Sequence, residues 1–377
     1  MGVNRSIPWH VWCMVAATTS SMVGVHWDIS WHRSIGRDTF WTPAHVAIYL
    51  CGVLAGIASA WMILGATFSK SSPLRATSVR IWGFHGPLGA FAGAWGGLAM
   101  LTSAPFDDWW HNAYGLDVKI LSPPHMVLAM GMFSVQLAAL LLVRCHANNA
   151  EGGTQRRLDW LYLYVGGLVL VNMNTLILEY CFRVLMHSGI YYRSIGAALP
   201  FFLFAIAAGS SQRWAATKMS LIYMLFWNGM NWILPLFPAE PKLGPVLNPI
   251  THFVPSTFSI LLVFPALAAD GILERMRGRS PLALAFAAGT AFMAVLLAVQ
   301  WPFGSFLMSP AARNRFFYSH MFDYRTGPNT YLQRFQFFPW EKTSAAFWTN
   351  MTLAFALTIL LAWMGLHWGR WLRTVRR

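Results

Sequence analysis

About ten stretches of roughly twenty mostly apolar residues succeed one another along this chain, near 9–27, 43–68, 81–103, 124–144, 158–181, 194–211, 214–236, 252–273, 281–300 and 344–368. Each is long enough to cross a bilayer as a helix, which needs about 20 such residues. That succession predicts an all-α fold, a polytopic integral membrane bundle of about ten helices. Composition agrees. Hydrophobic residues make up 56 % of the 377 and charged residues 11 %, where an ordinary soluble domain is about a quarter charged. So few charges cannot clothe so large an apolar content in water, which excludes a soluble globular enzyme and a disordered chain. The formal charge of +14 is spread through short segments between apolar runs rather than gathered in one, so nucleic acid is not an expected partner. The four cysteines, Cys13, Cys51, Cys145 and Cys181, form no CxxC pair and read as small apolar helix residues.

The basic residues set an orientation. Lys70, Arg75 and Arg80; Arg144, Arg156 and Arg157; Arg213 and Lys218; Arg275, Arg277 and Arg279; and Arg370, Arg373, Arg376 and Arg377 all fall on one side of a ten-helix plan. The positive-inside rule makes that side cytoplasmic, with both termini inside, in the inner (cytoplasmic) membrane of a prokaryote. The expected divisions are a repeat region of two helical hairpins over 1–145, a further bundle of about five helices over 146–300, a long outer loop or lid over 301–343, and a last helix with a basic tail over 344–377.

The predicted outer ends carry the chemistry. HWDISWHRSIGRDTFWTPAH contains Asp28, His32 and His45 in the pattern Asp-x3-His-x12-His. Asp28 and His32 share one face of a helix, and Pro43 suits the first turn of the helix that His45 heads. Seventy-nine residues later FDDWWHNAYGLDVKILSPPH repeats the pattern as Asp107, His111 and His125, Asp-x3-His-x13-His. Gly115 and Asp117 repeat Gly36 and Asp38. A carboxylate and two imidazoles make a three-point ligand set with positions left open. Imidazole suits copper, iron and zinc, and the carboxylate hardens the site. The competing reading is an aromatic interface, since Trp, His and Asp are favoured where a polar tip meets water. The internal repeat is what favours a metal.

Other polar residues are weaker candidates. Asp38 and Asp117 occupy places from which a carboxylate orients a ligating histidine. His252, in NPITH, is expected at the start of the eighth helix, with Asn228 and Asn231 on the preceding one. Glu179, near the end of the fifth helix, is a proton carrier, an orienting partner, a ligand, or the ion-pair partner of Arg183. His26 can stand behind the first motif. His85 is expected within the third helix, at a kink beside Pro87. His320 and Asp323 lie in the long loop, and Phe335–Trp340 reads as an interfacial aromatic belt.

DISWHRSIGRDTFWTPAH resembles the metal-binding stretch of the C subunit of the particulate methane and ammonia monooxygenases, the copper membrane monooxygenase family. That stretch has an Asp-x3-His-x12-His copper set in a similar W-H…R-D-T…T-P-x-H setting, which Asp28, His32 and His45 match one for one. The family's second set, Asn-x3-His-x13-His, has the spacing of Asp107, His111 and His125, with Asp in place of Asn. The resemblance covers about residues 20–145. The family's C subunit is shorter than this chain and works with two other subunits, one of which carries a soluble cupredoxin-like domain that is not encoded here.

The resemblance implies a copper-dependent membrane monooxygenase, or a subunit of one, that activates dioxygen and hydroxylates a small apolar substrate. Zinc or iron also suits the donor set. Partners under this reading are the lipid bilayer, partner membrane subunits or further copies of the chain, and an electron donor such as a quinol. The alternatives are a non-catalytic copper store, sensor or transporter, and a metal-free transporter or structural subunit.

Overall fold

The computed structural model describes residues 6–36, 39–115 and 122–376, and its regular structure is nearly all α-helix. Among the described residues five helices or helix pairs are long and apolar enough to cross a membrane: Pro43–Phe68, Pro123–Asn148, Gly189–Gly209, Pro281–Leu307 and Ser344–Leu372. Three of them start by one local device. Thr42, Ser122 and Ser280 are N-caps whose hydroxyl oxygens accept a backbone N–H three residues on, and a proline follows each cap directly. On Pro43–Phe68 the side chains of Val46, Leu50, Val53, Ile57, Trp61, Leu64 and Phe68 are exposed at helical spacing, an apolar stripe suited to lipid.

The chain divides into two compact units. The first comprises Met1–Val25, Phe40–Val169 and Trp371–Arg377. It contains the first part of α1 (Trp9–Ser34), then α2 (Pro43–Phe68), a hairpin of β1 (Val79–Ile81) and β2 (Phe84–Gly86), α3 (Leu88–Tyr114), α4 (Pro123–Asn148) and most of α5 (Gly152–Leu176). His85 is therefore not in the third helix. It lies on β2 opposite Arg80, its N–H donating to Thr67 Oγ1 at 2.8 Å. The helix begins only after Pro87, which is its N-cap, and runs on through Pro105 to Tyr114 rather than stopping near 103.

Glycines bring α3 and α4 together. A β-carbon on Gly89 would lie 2.8 Å from the Ala138 carbonyl oxygen, and one on Gly96 2.7 Å from that of Gly131. On the opposite side, one on Gly97 would lie 3.0 Å from the Gly52 carbonyl oxygen of α2. Small residues permit such backbone approach, and in lipid that close packing is what holds helices together. Arg144 is also not a loop cation. It is buried on α4 and pairs with Asp159 of α5 at 2.8 Å, so it carries no weight in the orientation.

The second unit comprises His26–Thr39 and Leu170–Arg370. It contains α6 (Gly189–Ala198), α7 (Pro200–Gly209), α8 (Ala215–Ile233), α9 (Val263–Arg275), α10 (Pro281–Leu307), the one-turn α11 (Tyr331–Arg334) and α12 (Ser344–Leu372) up to Arg370. The stretch expected as an eighth helix from 252 is helical only from Val263. Residues 253–262 are irregular and mostly buried. Pro255 holds Val254 out of the helical region, and side chains replace the missing helical bonds. The Val254, Ser259, Ile260 and Leu261 N–H groups donate to Ser34 Oγ, Asn228 Oδ1, Tyr223 Oη and Gln300 Oε1. The Thr257 carbonyl accepts from Trp227 Nε1 and Asn231 Nδ2. Non-helical backbone away from water survives only when it is satisfied in this way. The long loop is 308–343, since α10 takes in 301–307.

Candidate metal centre

The last turns of α3 and the first turn of α4 meet in the first unit. Asp107 and His111, four apart on α3, put Oδ2 and Nε2 3.4 Å from each other. His125, third residue of α4, puts its Nε2 3.5 Å from Asp107 Oδ1. One donor atom from each residue lies within 4.8 Å of the other two. The side chains are partly buried, 21 %, 17 % and 33 % exposed for Asp107, His111 and His125, so a ligand reaches the group without crossing the core.

Local sequence explains each position. Ser122 caps α4 and its Oγ accepts the His125 N–H at 3.4 Å, with Pro123 and Pro124 filling the two positions between. Gly115 ends α3 with φ of +87°, a conformation that favours glycine. Its N–H donates to the His111 carbonyl, and its own carbonyl lies 3.2 Å from His111 Nδ1. A carbonyl can only accept, so with a metal on Nε2 the ring's proton sits on Nδ1, where the Gly115 carbonyl can hold it. Such an outer hydrogen bond is how proteins fix the tautomer of a ligating histidine. Phe106, Trp109, Trp110 and Tyr114 interlock around the turn that carries Asp107 and His111, with neighbouring ring centroids 4.5–6.4 Å apart.

The donor set fits a transition-metal ion. Two imidazole nitrogens and one carboxylate oxygen converge from two helix ends.

The first sequence motif is placed in parts. Asp28 and His32 form the same i, i+4 pair on α1, with Oδ2 to Nε2 3.7 Å, in the second unit. His45 is the third residue of α2 in the first unit, its N–H donating to Thr42 Oγ1 at 3.4 Å, as at His125. The Ser/Thr-Pro-x-His head thus recurs at both helices. The two cap hydroxyls carry a signal in the sequence, a capping residue directly before a proline, that the spacing argument did not use. Asp38 and Asp117 lie outside the described residues.

Two accessory candidates are placed differently from expectation. His252 does not head a helix. It is exposed, bridges to Pro238 and lies 2.9 Å from Thr251 Oγ1 through Nδ1. Asn228 and Asn231 brace the irregular segment instead of facing it. Glu179 is exposed on a short turn after α5, and the Arg183 guanidinium stacks on Phe322 and Phe335. Within the expected aromatic belt, Phe335 packs on arginines and Phe337 stacks on His187 at 3.7 Å. His26 is buried edge-on against Phe226 and Trp227.

Comparison with protein-family models, with curated proteins and with solved structures gave no match.

Proposed function

We propose that this chain is a membrane metalloprotein whose Asp107, His111 and His125 hold copper, and that it acts as a copper-dependent monooxygenase or as a subunit of one. The observation that carries the metal reading is the convergence of one carboxylate oxygen and two imidazole nitrogens within 4.8 Å. The choice of copper and of oxygenation rests on the resemblance over residues 20–145. On spacing alone, Asp28, His32 and His45 are carried as a second ligand set.

Bound copper would supply redox chemistry toward dioxygen and a small apolar substrate. The chain's own residues do the rest. Asp107 offsets part of the cation's charge, His111 and His125 donate through Nε2, the Gly115 carbonyl holds the His111 proton on Nδ1, and the Phe106–Tyr114 aromatics limit water. Electrons come from a partner such as a quinol, and partner membrane subunits or further copies of the chain complete the assembly. Counting α1, α3, α5, α8 and α9 with its irregular approach segment beside the five apolar spans gives about ten crossings. The remaining basic segments then put both termini in the cytoplasm and the metal motifs toward the outer face of a prokaryotic inner membrane.

The test is metal analysis of the purified, detergent-solubilised protein beside Asp107→Ala/His111→Ala and Asp28→Ala/His32→Ala. Copper in the wild type that disappears in the first variant supports the site. Metal content unchanged in both variants ends the metal reading. Copper that is lost as expected, without oxygen consumption when reduced quinol is supplied, ends the oxygenase reading and leaves a store or sensor.

A further inference from the structure

Arg183 lies in the connection between α5 and α6 and is 5 % exposed. A guanidinium has five N–H donors and no acceptor. The buried Nε of Arg183 has no hydrogen-bond partner, and among the described residues no carboxylate forms an ion pair with it. It is held by rings instead, its Cζ 5.0 Å from the Phe322 centroid and 5.7 Å from that of Phe335. Arg313 lies over the same Phe335 ring, its Cζ 3.6 Å from the centroid, so the two guanidinium carbons are at most about 9.3 Å apart.

A third arginine joins them. Arg33, in the last turn of α1, has a buried Nε without a partner, and its carbonyl accepts the Tyr324 N–H at 3.2 Å. Arg325 lies over the Tyr324 ring at 5.6 Å. The carboxylate beside them is Asp323, whose Oδ1 accepts the Arg325 backbone N–H. Asp323 and Arg325 both act on Arg33, and the four arginines all belong to the second unit. Burial first, and then the charges of Arg33 and Arg313, pull the Arg183 guanidinium down to about 9. Burial and then Arg183 lower the His320 imidazole as well, which favours its neutral form with a single N–H donor.

Collecting like charges around a buried guanidinium is unfavourable unless a counter-charge completes the group. We propose that Arg183, Arg313 and Arg33 form a binding site for a phosphate-type oxyanion, with Arg183 as its floor. Planar guanidinium groups match phosphate oxygens in paired hydrogen bonds. An anion carrying up to two charges answers the cationic surplus better than a single carboxylate would. Arg313, His320 and Arg325 are exposed, so the site opens to its surroundings. The phosphate can be free or part of a lipid headgroup. The proposal is independent of the metal site.

The experiment uses the full chain, delipidated in detergent. Thermal unfolding is followed while inorganic phosphate is titrated against sodium chloride of equal ionic strength, in wild type, Arg313→Gln and Arg183→Met. Short-chain phosphatidic acid and the matching diacylglycerol are then offered, with retention read by native mass spectrometry. Wild type should show a melting temperature that rises with the logarithm of phosphate concentration. Arg313→Gln should weaken the apparent affinity about 10- to 100-fold, as expected for losing a charged hydrogen-bonding partner. A lipid source is identified by phosphatidic acid that is retained where diacylglycerol is not. A free-ion source is identified by a phosphate effect without lipid retention. If Arg183→Met fails to fold, Arg313→Gln carries the test. The proposal is overturned if neither phosphate nor phosphatidic acid acts on wild type beyond chloride and diacylglycerol, or if both act equally on Arg313→Gln. Arg183 is then a strut held by its two aromatic faces.

Discussion

Gly115 closes α3 at φ +87° and ψ 179°, a region open essentially to glycine alone, where any other residue costs about 1–3 kcal/mol. Among the described residues no atom stands within 4 Å of the place its β-carbon would occupy. Gly115→Ala therefore acts through backbone torsion and not through collision. The end of α3 is exposed at this point, so the strained terminus relaxes by changing φ, and the Gly115 carbonyl turns away from His111 Nδ1, now 3.2 Å distant. His111 remains present and its Nε2 remains near Asp107, but nothing fixes the proton on Nδ1. Loss of such an orienting partner weakens metal affinity about 10- to 100-fold. At about 1.4 kcal/mol per decade that is about 1.4–2.8 kcal/mol, the same size as the torsional strain. Competition titration against a chromophoric chelator, with copper(II) and with zinc, on wild type, Gly115→Ala and His111→Ala measures it. Gly115→Ala should fall between the other two, with a melting temperature close to wild type in the absence of metal. Wild-type affinity in Gly115→Ala together with lost affinity in His111→Ala would refute the role given to the carbonyl.

Two further predictions concern the scaffold. Tyr223→Phe removes the hydroxyl that accepts the Ile260 N–H at 3.1 Å and the Asn174 amide at 2.9 Å in a fully buried position. It should destabilise the protein by about 1–3 kcal/mol, the cost of an unsatisfied buried group, seen as earlier unfolding in detergent; an unchanged transition would mean that water solvates residues 253–262. Arg144→Met should cost about 3–5 kcal/mol by removing a cation from the buried Asp159 carboxylate, and Arg144→Met/Asp159→Leu should recover part of it. A double variant no more stable than the single one would show that the pair does more than neutralise itself.

The parts of the site that depend on one helix were legible in the chain. Asp107 with His111 and Asp28 with His32 follow from helical spacing alone, and Pro43 and Pro123 announce the helix starts beside His45 and His125. What escaped depends on groups distant in sequence. The run 252–273 is apolar enough to read as a helix, yet Pro255 and the side chains of Ser34, Tyr223, Asn228 and Gln300 hold its first half irregular. No window of sequence contains both halves of those bonds. Arg144 read as a loop cation because its partner, Asp159, is on the next helix. Nothing local showed that Arg183 and Arg313 would lie against the Phe335 ring. His85 was misplaced because hydrophobicity continues through Pro87, although the proline marks where helical hydrogen bonding begins.

The spacing difference between the two motifs has a physical reading. His45 and His125 both sit third after a hydroxyl cap and a proline, with the cap oxygen accepting their own N–H at 3.4 Å. The histidine's place is thus fixed from its own helix start, not by the length of chain behind it, and one residue more or less in the connection can be tolerated. What cannot vary is where the two helices stand. In the second motif that is set some distance from the chemistry, where Gly89 and Gly96 of α3 let its backbone approach the Ala138 and Gly131 carbonyls of α4. A side chain larger than hydrogen at those glycines would separate α3 from α4, and with them Asp107 and His111 from His125. The donor atoms lie within 4.8 Å of one another, while metal bonds to nitrogen and oxygen are about 2.0–2.2 Å long, so little separation is available before one ligand is lost. The glycine contacts along α3 are therefore as much a requirement of the ligand set as the ligands are.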